Sequence, residues 1–161
     1  MKHLVAVERT SDVEITVTRQ FNGPARLVFR AWSEPELFRQ WWVPPSFGMT
    51  LLSCEMDVRT GGTYRLVFKH PAVEEPMAFF GRYTDVVPHS RIVWTNEESP
   101  EVVISTVTLE EQAGTTRLTM TERYPSKQAL DEALANGSSG TGAAGEQFGL
   151  LDEVLAAMGA T

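Results

Sequence analysis

The stretch from Phe47 to Tyr124 constrains the fold most. It holds six segments rich in β-branched and aromatic residues, near 47–57, 62–69, 78–87, 91–96, 101–110 and 115–124. Short turn signals separate them: Arg59-Thr60-Gly61-Gly62, Pro71 to Pro76, Pro88-His89-Ser90, Asn96 to Pro100, and Gln112-Ala113-Gly114. Connections this short do not carry parallel crossovers, so the segments predict an antiparallel meander. Upstream, Val13, Ile15 and Val17 alternate with Glu14, Thr16 and Thr18, the period of a half-buried strand. The expected strand count is therefore seven.

Helical signals flank this block. The first strand stops at Asn22-Gly23-Pro24, and Pro24 suits a first helical position because it has no N–H to leave unpaired. Val28, Phe29 and Trp32 then form a short apolar face. Ser33-Glu34-Pro35-Glu36 reads as a second helix start, with Ser33 as cap and Glu36 completing a capping box. Leu37, Phe38, Trp41 and Trp42 follow at helical spacing until Pro44-Pro45. Ser126 predicts a cap for a helix through Ala129, Leu130, Ala133 and Leu134. From about Ala143, Phe148, Leu151, Leu155 and Met158 share one face of a long helix, with Leu150 and Val154 beside it. Between the last two helices, Gly137 to Gly145 has no strand before it and no lysine after it. It reads as a flexible joint, not a phosphate loop. The result is one α+β domain over residues 1–161, in the order β-α-α-β6-α, with residues 1–11 as a loose lead-in.

Composition then excludes several functions. Hydrophobic residues make up 42% of 161, enough for a single core. With 14 basic and 21 acidic residues the net charge is −7, which disfavours nucleic acid as a partner. No apolar run approaches the roughly 20 residues of a membrane span. The polar start does not read as a secretory signal. A single cysteine, Cys54, excludes an intrachain disulfide and points to a reducing, cytoplasmic setting. Cys54 itself reads as a small buried hydrophobe. The histidines His3, His70 and His89 fall in a tail or in turns without partners at ligand spacing, so neither metal nor cofactor is expected. No nucleophile elbow or dinucleotide fingerprint is present, and no catalytic constellation emerges.

Seven short motifs in this order resemble a known family. They are Arg19 to Pro24 leading into Val28-Phe29-Arg30-Ala31-Trp32; Pro35-Glu36-Leu37 with Arg39 to Pro44; and Asp57 to Arg65. Gly81-Arg82-Tyr83 with Val87-Pro88, Arg91 to Thr95, Gly114 to Thr119, and Leu151-Asp152-Glu153-Val154 complete the set. Over roughly residues 12–158 the chain resembles bacterial proteins similar to the C-terminal domain of the activator of heat-shock-protein ATPase, within the START-related SRPBCC superfamily. The resemblance implies a helix-grip fold, in which a curved antiparallel sheet wraps a long C-terminal helix and leaves an apolar cavity between them. Its functions range over carriers, cyclases, hydrolases and co-chaperones, so fold alone does not name one. One departure concerns the cavity: many relatives carry Gly-Trp where this chain has Glu146-Gln147, and Phe148 is expected to fill that space.

Ring content and strand parity nominate the site. Tyr64, Leu66 and Phe68 should face inward, as should Ile92 and Trp94, with Arg65, Arg82 and Thr95 outside. On the last strand Leu118, Met120 and Glu122 share one side. Glu122 either continues the inward row, where it needs a partner, or stands in water at the strand end. Trp41, Trp42 and Phe47 are expected to form the gate; Tyr64, Phe68, Trp94, Met120, Phe148 and Leu151 the wall; and Glu122 the polar contact. Glu97, Glu98, Glu101, Glu110 and Glu111 read as a solvated rim.

The expected function is binding of a small, largely apolar or aromatic ligand, as carrier or sensor. A co-chaperone-like module acting on a heat-shock ATPase is the alternative from another class. A cyclase or hydrolase using Glu122 and Tyr64 in the same cavity is a third. A homodimer through the helices or a sheet edge is compatible with the pattern.

Overall fold

Alternating side chains give this chain its sheet, and breaks in the alternation give the sheet its curve. The computed structural model describes residues 5–136 and 144–159. Its strands are β1 (Ala6–Arg9), β2 (Glu14–Asn22), β3 (Thr50–Met56), β4 (Thr63–Lys69), β5 (Met77–Val87), β6 (Arg91–Asn96), β7 (Val103–Gln112) and β8 (Thr115–Arg123). They form one antiparallel sheet in the order β1-β2-β8-β7-β6-β5-β4-β3. The helices are α1 (Ala25–Ser33), α2 (Pro35–Phe38), α3 (Lys127–Asn136) and α4 (Ala144–Ala157), with a single 3-10 turn at Pro45–Phe47.

The sheet has eight strands rather than seven. The addition is β1, which lies in the segment read as a lead-in and pairs with β2 from Ala6 opposite Thr18 to Arg9 opposite Ile15. All four of its residues are exposed, so no apolar alternation marked it.

Two register shifts bend the sheet, one in β3 between Leu51 and Ser53 and one in β5 between Tyr83 and Asp85. The Gly81 backbone supports the second bend: a Cβ there would lie 1.8 Å from the Thr95 carbonyl oxygen. A Cβ on Gly62 would lie 1.9 Å from the Asp57 carbonyl oxygen, which explains the Gly-Gly turn before β4.

Helix α4 lies against the sheet through Phe148, Leu151 and Leu155, all essentially inaccessible. Phe148 meets Phe21 edge-on at 5.4 Å. An ion pair fixes the helix along its length: Arg19, pointing inward from β2 and 5% exposed, donates to both carboxylate oxygens of Asp152 at 2.8 and 2.6 Å. It also donates to the Phe148 carbonyl at 3.1 Å. A smaller cluster of Ile15, Tyr124, Ala129, Leu130 and Ala133 seats α3. The Ser126 hydroxyl caps α3 as expected, accepting from the Ala129 N–H at 3.1 Å.

Three local expectations are corrected. Ser33 is the last residue of α1, so Glu34 becomes the N-cap of α2 and the capping box does not form. Pro35 enforces this by holding Glu34 extended. Pro24 is likewise the extended residue before α1, and the first helical N–H, that of Ala25, is taken by the Glu111 carboxylate at 2.7 Å. Helix α2 is one turn long, so Trp41 and Trp42 lie beyond its end and donate their backbone N–H groups to the Phe38 carbonyl. The joint expected at Gly137 to Gly145 falls mostly on residues 137–143, outside the described residues, while Gly145 belongs to α4.

Candidate ligand cavity

Cross-strand pairing sorts the concave face into rows. Ile92, Val107, Met120 and Val17 stand opposite one another across β6, β7, β8 and β2, forming an apolar row. The next row is Trp94, Ser105, Glu122 and Ile15, and polar groups enter there. On β4, Tyr64, Leu66 and Phe68 are buried while Arg65 is exposed, as parity requires.

Ile92, Met120, Trp94, Ser105 and Glu122 of these rows, with Tyr64, Leu66 and Phe68, floor a cavity of about 740 Å3. Trp32, Phe38 and Trp42 bound one side, followed by Pro44, Phe47 and Met49 of the 3-10 turn region. Ala129, Glu132 and Ala133 of α3 and Gln147 of α4 also line it. The rings are in mutual contact: Trp32 lies 5.9 Å from both Trp42 and Trp94, and Trp42 stacks on Phe38 at 4.8 Å.

A polar chain crosses the far end of the floor. The Tyr64 hydroxyl donates to the Thr95 carbonyl at 2.7 Å, with Asn96 Oδ1 3.1 Å away. Asn96 Nδ2 donates to Ser105 Oγ at 3.1 Å and to the Val103 carbonyl at 3.3 Å. The Tyr124 hydroxyl lies 3.5 Å from Glu122 Oε1. Burial pushes the Tyr64 and Tyr83 phenols well above the usual tyrosine range. It also raises the Cys54 thiol, so neither phenol nor thiol is poised to ionise near neutral pH.

Of the residues nominated from sequence, Trp42, Phe47, Tyr64, Phe68, Trp94, Met120 and Glu122 line the cavity. Trp41, Phe148 and Leu151 instead lie in the packed core behind it. Trp41 is wholly buried because its indole N–H donates to the Ala31 carbonyl at 3.0 Å and turns the ring under α1. Phe148 fills the space between Phe21 and Trp41 rather than facing the cavity. Glu122 is 8% exposed, so the inward reading holds and the solvated strand end does not.

Sequence reasoning passed over Asn96 and Ser105, which parity carried across β6 and β7 finds. It noted Gln147 only as part of a departure from the family pattern, and the approach of α4 gives that residue its contact. Gln147 Nε2 donates to the Trp42 carbonyl at 2.6 Å. Its neighbour Glu146 accepts from the Ser46 N–H at 3.2 Å and from the Ser46 hydroxyl. The Glu146-Gln147 pair thus ties the Trp42–Ser46 segment to α4. The acidic rim divides in the same way: Glu98 and Glu101 stand at the cavity, Glu97 binds Arg82 at 2.9 Å, and Glu111 caps α1. Among the described residues, no group of three or more His, Cys, Asp or Glu is placed to hold a metal ion.

Residues 22–155 match the family described as Activator of Hsp90 ATPase homolog 1-like protein. The chain belongs to this family. Solved structures share the fold. A Rhodobacter sphaeroides protein superposes with a TM-score of 0.83 at 23% identity, covering 96% of this chain and 99% of that one. A Mycobacterium smegmatis protein gives 0.78 at 25% identity, with 96% and 99% covered. An AHSA1-like protein from Aeromonas hydrophila gives 0.66 at 15% identity, with 91% and 95% covered. The comparison with curated proteins returned no match. Members of the Activator of Hsp90 ATPase homolog 1-like family with this SRPBCC-type fold share the helix-grip arrangement described above.

Proposed function

We propose that this member of the family binds a small, largely apolar ligand in the cavity between sheet and helices, as a carrier or sensor. The observation that carries the reading is a cavity of about 740 Å3 whose floor and one side are aromatic and aliphatic, next to a core that is already closed. Such a space suits a ligand that gains roughly 25 cal/mol per Å2 of apolar surface removed from water. The polar chain from Tyr64 to Glu122 would orient it rather than hold it.

The direct test fills the space. Met120→Trp adds a large ring to the cavity floor without adding charge. Saturable ligand uptake, read by calorimetry, should fall at least tenfold. The thermal midpoint should drop by less than about 4 °C, the shift expected from roughly 1 kcal/mol in a chain of this size. Unchanged uptake in a folded Met120→Trp protein would remove the cavity from the account. Truncation at Trp94 is less selective, because Trp94 also packs on Trp32.

A further inference from the structure

Among the described residues, the charge lining the cavity has one sign. Its described lining includes Glu98, Glu101, Glu122 and Glu132, and no described lysine, arginine or histidine. Glu98, Glu101 and Glu132 are exposed at the mouth, whereas Glu122 is buried on the floor beside Ser105. We propose that the ligand is a hydrophobic amine, an apolar body carrying a protonated, hydrogen-donating head, and not a carboxylate of the fatty-acid kind. The inference rests on the ligand-binding reading above and specifies its chemistry.

Several physical arguments converge. The floor changes character along one direction, from Leu66, Ile92 and Met120 to Asn96, Ser105 and Glu122, so an amphiphile has one favoured orientation. At the mouth an anionic head would meet the exposed carboxylates of Glu98, Glu101 and Glu132, which carry its own sign, while an ammonium would meet opposite charge. Aromatic faces add attraction for a cation, and Trp94 stands on the same cross-strand row as Glu122. The exposed glutamates at the mouth, on a chain of net charge −7, concentrate cations and repel anions in a salt-dependent way.

Decylamine, 1-decanol and decanoate share one apolar chain and differ in the charge of the head. Titrating each at neutral pH and low salt, with the tryptophan emission as readout, separates the arms. The amine should bind at least tenfold more tightly than decanoate, with the alcohol between, and added salt should narrow the gap. The amine-to-decanoate ratio should fall several-fold in Glu122→Gln and in the triple variant Glu98→Gln, Glu101→Gln, Glu132→Gln. Decanoate or decanol binding as tightly as decylamine overturns the charge assignment and leaves the cavity reading standing. A ratio unmoved in both variants does the same. No saturable binding by any of the three overturns both readings.

Discussion

Single residues in this protein mostly act by what they leave room for or what they neutralise. Gly81 leaves room. Opposite Tyr64 on β4, its missing Cβ lets the Thr95 carbonyl approach and accept from the Tyr64 hydroxyl. Gly81→Ala should cost about 1–3 kcal/mol, the usual range for overpacking, in urea unfolding; a change below 0.5 would mean that the strand shifts freely. Arg19 is the neutralised case. Its guanidinium is 5% exposed and Asp152 is 40% exposed, so the pair straddles the edge of the core. Asp152→Asn leaves a charged donor with a neutral acceptor and should destabilise by about 1.5–3 kcal/mol, the range for hydrogen bonds to charged groups. An unfolding midpoint equal to the parent's would show that the Asp152 charge is not what holds Arg19 in place.

At the scale of elements, what was legible in the sequence is what repeats. Six segments of alternating side chains gave six of the eight strands their places within a few residues, and the upstream alternation gave β2. The strand that escaped, β1, has no buried face to impose a period. Helix ends were less legible because two proline effects compete there. Pro35 fixes the residue before it as extended, and that outweighed the cap offered by Ser33. The cavity wall was legible where strands supply it and not where helices do. Trp41 and Phe148 were nominated from ring chemistry, yet how far a helix presses toward the sheet decides whether a ring lines a space or fills one. Long-range caps were invisible in the same way: nothing local to Glu111 points to the first N–H of α1.

A pH effect also belongs to this scale. Hydrogen bonds from Thr95 and Arg82 hold the Glu97 carboxyl below its ordinary range, linking β5 to the end of β6. A carboxylate lowered in the folded state stabilises above its unfolded pKa, about 4.3, and loses that contribution as pH falls through the folded value. Stability should therefore fall less steeply between about pH 5 and pH 3 in Glu97→Gln than in the parent. Parallel slopes in the two proteins would remove Glu97 from the acid response. Glu34, lowered by Arg30, and Asp131, lowered by Lys127 and Arg9, respond in the same direction and are common to both proteins.

The whole molecule is a sheet that curls over one long helix and stops short of closing on the aromatic rings beside it. Among the described residues no helix is long and apolar enough to cross a membrane. The Trp42–Ser46 segment, tied to α4 through Ser46 with Glu146 and Trp42 with Gln147, contributes Trp42, Val43 and Pro44 to the cavity lining. Methionine methyl groups report on this space directly. Met49, Met56 and Met120 line the cavity, whereas Met77 and Met158 do not. The decisive measurement is a carbon-13 methyl-methionine NMR titration with 1-decanol, whose neutral head makes it independent of the charge assignment. The account predicts saturable shifts at Met49, Met56 and Met120, with Met77 and Met158 unmoved. Shifts confined to Met77 and Met158, or no shift at any of the five, would contradict the claim that this cavity is the binding site.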